Sequence, residues 1–184
     1  MSLDTSVPKA SQPKEEINST SGGFPFQFNA TCQEAEKYST HVPVFHLSVA
    51  AGAWGPETSP EEIGWADLSG RKLEPGMFVA QVFGHSMEPT IPDRAWCLFK
   101  KPAAGTRQNK IVLVQFNSLG DPETGGRFTV KQYRSEKGVT EEGWEHRAIR
   151  LVPLNPEYAP IEISGDLARE VLVVGEWVAV LGGG

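Results

Sequence analysis

Residues 77–90 read Met-Phe-Val-Ala-Gln-Val-Phe-Gly-His-Ser-Met-Glu-Pro-Thr. The first seven, Met77–Phe83, are an apolar run of strand length. Gly84, His85, Ser86, Met87, Glu88 and Pro89 then force a sharp exit from that strand. Such an exit pushes one hydroxyl, that of Ser86, off the end of a sheet. It also aims nearby backbone N–H groups at a common point, the geometry a tetrahedral oxyanion requires. Taken alone, a serine in a Gly/Pro turn is a turn-stabilising hydroxyl. A serine is also a weak nucleophile without a base.

Outward from this run the same punctuation repeats. Val42–Val49, Ala95–Phe99, Lys110–Phe116, Phe128–Tyr133, Ile149–Leu154 and Val171–Leu181 are strand candidates. Glu74-Pro75-Gly76, Pro89, Pro92, Gly105, Gly125-Gly126 and Asn155-Pro156 separate them as turn signals. The chain holds 19 glycines and 14 prolines among 184 residues, well above the roughly 12% average for the two together. That excess argues against a helix bundle and for short strands. The expected fold is mainly β: a twisted β-sheet folded into a partly open barrel, with few short helices. Ser59–Ile63, with Pro60 in its first turn and Glu61 and Glu62 behind it, reads as one such capped helix. Gln33–Tyr38 reads as one helical turn.

Residues 1–22 are polar and contain no aromatic residue, so they cannot bury enough apolar surface to offset their ordering entropy. The expected division is a flexible N-terminal arm over 1–40 and a folded domain over 41–184. Within 23–40, Phe24, Phe26 and Phe28 alternate with Pro25 and Gln27, a pattern that docks as an edge strand. Nothing before residue 40 has the periodicity of a helix-turn-helix reader. The 17 basic and 23 acidic residues give a formal net charge of −6, which argues against direct nucleic-acid binding. Cys32 and Cys97 are too few for a disulfide framework or a zinc ribbon. No apolar run approaches the roughly 18 residues of a membrane span. The expectation is a soluble, cytoplasmic protein without a membrane, metal or cofactor.

A second segment, Phe128-Thr129-Val130-Lys131-Gln132-Tyr133, puts Thr129, Lys131 and Tyr133 on one strand face. The ordinary reading of Lys131 is a solvated lysine. Held in an apolar site instead, its charged form is disfavoured, and a neutral amine can take a proton from a serine.

Together these segments resemble the LexA/UmuD-like self-cleaving serine peptidases, which use a Ser–Lys dyad. The nucleophile motif stands here as GHSMEPTI with Ser86, and the base motif as FTVKQY with Lys131. Val49-Ala50-Ala51-Gly52 looks like the family's Ala-Gly self-cleavage site, at about the family's separation before Ser86. It places a cleavage loop near 49–55. KIVLVQF before the base strand, Leu154-Asn155-Pro156 with Pro160-Ile161, and VVGEWVAVL match as well. The resemblance covers roughly 42–182. Ala and Gly at the scissile bond let the backbone approach the serine closely.

The chain also departs from the family. The interval from Ser86 to Lys131 is longer than usual, and the excess falls on Asn117–Arg127, NSLGDPETGGR. Ser135–His146 also reads as an enlarged loop. Polar surface loops lengthen at little cost, so neither need disturb the dyad.

The resemblance implies hydrolysis of the Ala51–Gly52 bond, with catalytic Ser86 and Lys131 and the backbone N–H groups of His85 and Ser86 as oxyanion donors. It implies promotion by a RecA-nucleoprotein filament in the DNA-damage (SOS) response, a homodimer, and a role such as translesion-polymerase accessory. The closing strand Val171–Leu181 is the candidate dimer edge. Three alternatives differ in class: a peptidase or sensor domain of a larger repressor or helicase-type protein, a signal-peptidase relative, or an inactive binding module on the same fold. His85 tempts a Ser–His reading, but neighbours at a strand end point apart. His41, His46 and His146 show no ligand spacing. Cys97 reads as a core thiol and Cys32 as inert. Asp93 and Arg94 read as turn residues. Trp54 and Trp65 are placed to flank the cleavage loop or to pack.

Overall fold

The computed structural model describes residues 23–47, 60–117, 120–140 and 143–183. Ten strands are formed: β1 Gln27–Asn29, β2 His41–His46, β3 Glu61–Asp67, β4 Phe78–Gln81, β5 Trp96–Lys100, β6 Ile111–Phe116, β7 Phe128–Thr140, β8 Gly143–Val152, β9 Ile161–Ser164 and β10 Val171–Gly182. They make one sheet in the order β1-β3-β2-β4-β5-β10-β6-β7-β8-β9. Strands β2 and β4 run parallel; the other neighbours are antiparallel. The sheet ends on β1 and β9 and does not close into a barrel. Among the described residues the helical content is a single 3₁₀ turn, Gly165–Glu170.

The continuous apolar runs of β5 and β6 have a physical reason. Trp96 and Leu98 of β5 enter a cluster with Val42, Val44 and Val79. Cys97 and Phe99 enter a second one with Met87, Ile91, Leu113 and Val130. Val112, Val114 and Phe116 of β6 enter a third with Ile149, Leu151 and Ile163. A strand covered on both faces has no wet side on which polar residues can alternate. Each buried side chain of this size contributes about 1.5–3 kcal/mol. Strands β5 and β6 anchor their neighbours: β4, which leads into the turn of Ser86, pairs with β5, and β7, which carries Lys131, pairs with β6.

Four expectations need correction. Ser59–Ile63 is not a capped helix: Glu61–Asp67 is β3, paired with β2 from His41↔Asp67 to His46↔Glu61 and with β1 on its other side. Two ladders outweigh a local capping signal worth about 1 kcal/mol. Gly64 sits within this strand, where a Cβ would lie 2.4 Å from the Phe28 ring. Residues 23–40 are not an arm. Phe24 stacks on Phe28 at 4.5 Å, Phe24 and Phe26 meet Trp96 at 4.9 and 5.7 Å, and β1 is the edge strand that the phenylalanine alternation suggested. Ser135–His146 is not a loop but the outer part of a long β7–β8 hairpin. Finally, β10 is not a free edge. Val171–Glu176 pairs with β6 and Glu176–Gly182 with β5, so its apolar length is shared between two partners. At the switch, buried Glu176 accepts from Lys110 Nζ at 2.8 Å.

Candidate active site

The chain leaves β4 through Val82, Phe83 and Gly84. The Val82 N–H closes this neck on the Ala95 carbonyl at 2.9 Å. Gly84 adopts φ +99, a conformation that glycine accepts without a Cβ clash. Its N–H donates to Asp93 Oδ1 at 2.8 Å. Met87 and Ile91, 2% and 0% exposed, sink into the central core and hold the turn down. Asp93 and Arg94 form the turn expected of them, Arg94 at φ +57. From across the sheet Asn155 clamps the same segment. Its N–H donates to the Ser86 carbonyl at 3.0 Å and its Nδ2 to the His85 carbonyl at 3.1 Å. The Leu154-Asn155-Pro156 stretch thus fixes the backbone on which Ser86 sits.

On β7, Lys131 lies opposite Val112 of β6. Its Nζ is 2.8 Å from Ser86 Oγ, 2.7 Å from Thr129 Oγ1 and 3.4 Å from Asp121 Oδ2. Ser86 and Lys131 are each 4% exposed, so Lys131 is not a solvated surface lysine. The two residues singled out in the sequence are brought together.

Asp121 and Thr129 complete the cluster. Asp121 Oδ1 accepts from the N–H groups of Glu123 and Thr124 at 3.0 and 2.9 Å and from the Thr124 hydroxyl at 3.2 Å. Burial alone would raise the Asp121 carboxyl. The Thr129 hydroxyl, the Lys131 nitrogen and those two N–H groups together hold it below the ordinary carboxylate value. A buried carboxylate costs several kcal/mol to desolvate, offset only by good hydrogen-bond geometry such as this.

The backbone expected to hold an oxyanion is partly occupied. The His85 N–H points at the Glu123 carboxylate, Oε1 at 2.5 Å. That carboxylate lies over Gly84, where a Cβ would fall 2.7 Å from Oε1. The His85 ring is exposed and meets Glu88 Oε1 at 3.1 Å. This hydrogen bond and the Glu88 charge raise the imidazole above its usual value. Its ring is thus partnered by Glu88 and not by Ser86.

Ala51 and Gly52, with Val49 and Trp54, lie outside the described residues. Leu47, the last described residue before them, packs on the cluster that contains Met87. It also lines a groove of about 340 Å³ with Phe83, Leu113, Phe128 and Val130. Trp65 is buried edge-on to Tyr38 at 6.3 Å. Cys97 is buried, and burial pushes its thiol up to about 12. Cys32, Glu36 and His41, which sequence spacing left apart, bring their ligand-type atoms within 4.8 Å of one another. The His41 nitrogens already meet Thr40 Oγ1 at 2.8 Å and Asn29 Nδ2 at 3.2 Å.

Sequence reasoning missed Asp121, Glu123 and the Asn155 clamp as parts of the site. The first two announced themselves only as acids in the surplus loop before β7. Among the described residues no helix is long and apolar enough to cross a membrane. The family model described as Peptidase S24-like matches residues 43–178. No curated protein matches the chain.

Proposed function

The chain belongs to the Peptidase S24-like family, and from that premise we propose that it is a self-cleaving serine peptidase acting on its own Ala51–Gly52 bond. The observation that carries the reading is the buried 2.8 Å contact between Lys131 Nζ and Ser86 Oγ. In the neutral amine the lone pair takes the Ser86 proton as Oγ attacks the Ala51 carbonyl carbon. The His85 and Ser86 N–H groups stabilise the oxyanion. Glu123 must first withdraw from His85 for that donor to serve. Lys131 then passes its proton to the Gly52 nitrogen as the C–N bond breaks, leaving an ester between Ser86 and Ala51. Water hydrolyses the ester, which frees the Ala51 carboxylate and restores the serine hydroxyl.

Cleavage within one chain is supported by the position of Leu47 in the groove beside the turn. Ala51 lies only four positions beyond Leu47, a reach of roughly 13 Å when extended. The proposed setting is promotion by a RecA-nucleoprotein filament in a DNA-damage response, with a homodimer as the acting form.

The test is incubation of the purified chain across a rising pH series, alone and with RecA filament, with the products weighed. The expected outcome is a single cut at Ala51–Gly52 that quickens with alkalinity, which populates the neutral amine. Ser86→Ala and Lys131→Ala each lower the rate by about a thousandfold or more. A cut that survives both substitutions overturns the dyad. No cut under any condition overturns self-cleavage and leaves the inactive module standing.

A further inference from the structure

Asp121 has no part in the reaction as written, yet it is 3% exposed and directed at the base. A carboxylate only accepts hydrogen bonds. Its Oδ1 is filled from the loop side by Glu123, Thr124 and the Thr124 hydroxyl. That leaves Oδ2 facing Lys131 at 3.4 Å. Thr129 Oγ1 accepts from Lys131 Nζ at 2.7 Å. Lys131 must therefore donate one N–H to Thr129 and one to Asp121. A neutral amine has two N–H groups and one lone pair. With both N–H groups committed, the lone pair has one direction left, toward Ser86 Oγ at 2.8 Å.

We propose that Asp121 is the positioning residue of the dyad: together with Thr129, it fixes the rotation of the Lys131 amine so that its lone pair meets the Ser86 hydroxyl. The inference rests on the Ser86–Lys131 reading above. It assigns the surplus segment between β6 and β7 a role in the chemistry. The arrangement also sets a carboxylate 3.4 Å from the amine, a charge that Asp121→Asn removes. The other groups facing Lys131 are uncharged: Ser86 from the turn, Thr129 on its own strand, and Val112 from β6. Of the charges at the turn, Asp93 accepts from the Gly84 N–H, Glu123 from the His85 N–H, and Glu88 meets the His85 ring.

The test uses Asp121→Asn in the full chain, with two readouts. The first is the pH–rate profile of self-cleavage. Its alkaline rise should move to lower pH by about one unit or more, while the plateau rate falls at least tenfold, because an amide no longer dictates the donor directions. The second is a ¹³C NMR titration of the Lys131 Cε in a Ser86→Ala background, which needs no cleavage. Its midpoint should move in the same direction. Asp121→Glu keeps the charge and should hold both midpoints near those of the unsubstituted chain. It also serves as the test variant, through its plateau rate, should the asparagine chain fail to fold. A lower rate with both midpoints unmoved makes Asp121 a loop anchor only and overturns the proposal. A moved NMR midpoint without any cleavage leaves the Asp121–Lys131 coupling standing and overturns the self-cleavage reading.

Discussion

Two segments converge on the Ser86–Lys131 contact, and they are built differently. The turn 84–94 is held from beneath by Met87 and Ile91 in the core, from within by Asp93, and from across the sheet by Asn155. The loop 120–127 is held mainly by itself. Asp121 accepts from Glu123 and Thr124, and its own N–H and carbonyl meet Gly126 and Gly125 at 2.8 Å. The turn carries the Ser86 hydroxyl, the nucleophile of the proposed reaction. The loop supplies two carboxylates, one on Lys131 and one on the His85 N–H. The contrast teaches that the Ser86 hydroxyl rides on packed core, while the carboxylates that contact its surroundings ride on a self-bonded loop.

The largest way to break this division is Gly84→Ala, because Gly84 touches both segments. Its φ of +99 strains any side chain, and the new Cβ would meet the Glu123 carboxylate within 3 Å. The strain at this φ costs about 1–3 kcal/mol and falls on the turn itself, while the Glu123 carboxylate, the far end of a flexible side chain, must swing off the new Cβ. Self-cleavage should fall by about a hundredfold or more, and thermal unfolding should shift to lower temperature. Full activity in this variant would show that the two segments are not coupled.

Glu123→Gln is the next probe and has the opposite sign. A hydrogen bond to a charged group is worth about 1.5–3 kcal/mol, a neutral one about 0.5–1.5. Neutralising Glu123 loosens its hold on the His85 N–H, so basal self-cleavage should rise by about three- to tenfold. A slower reaction would mean that Glu123 supports the turn instead of covering it.

The same contrast explains what could be read from the sequence. The turn was legible because its residues are consecutive: Gly84, Ser86 and Pro89 make a recognisable exit from a strand. Lys131 was legible through the short FTVKQY context and the period-2 alternation that puts it beside Thr129. The two-sided burial of β5 and β6 shows directly as unbroken apolar runs. The failures arise where a distant partner decides. Glu61 and Glu62 look like the first turn of a helix until β2 pairs with them. Ser135–His146 looks like a loop because its strand character comes from the hairpin ladder, not from apolar alternation. Asp121 and Glu123 are two acids in a turn-rich stretch. Nothing local to DPETGG says that one reaches a lysine ten residues on and the other a backbone N–H 38 residues back.

The smallest effect separates packing from chemistry. Cys97 on β5 pairs with Ala80 of β4 and lies in the cluster that holds Met87 and Ile91. It is fully buried, and burial pushes its thiol up to about 12. At pH 8 it should stay unmodified by a small alkylating reagent, while Cys32, which is partly exposed, is labelled. Labelling of Cys97 then requires opening of the core beneath the turn, so its rate measures how firmly the turn is seated. Gly84→Ala should quicken that labelling, because the strain falls on the turn itself. Glu123→Gln should leave it unchanged within a factor of about two while self-cleavage rises, because the loop meets the turn from its outer side. If Glu123→Gln instead exposes Cys97, the loop is part of the turn's support, and the division between a packed nucleophile and an adjusting loop fails.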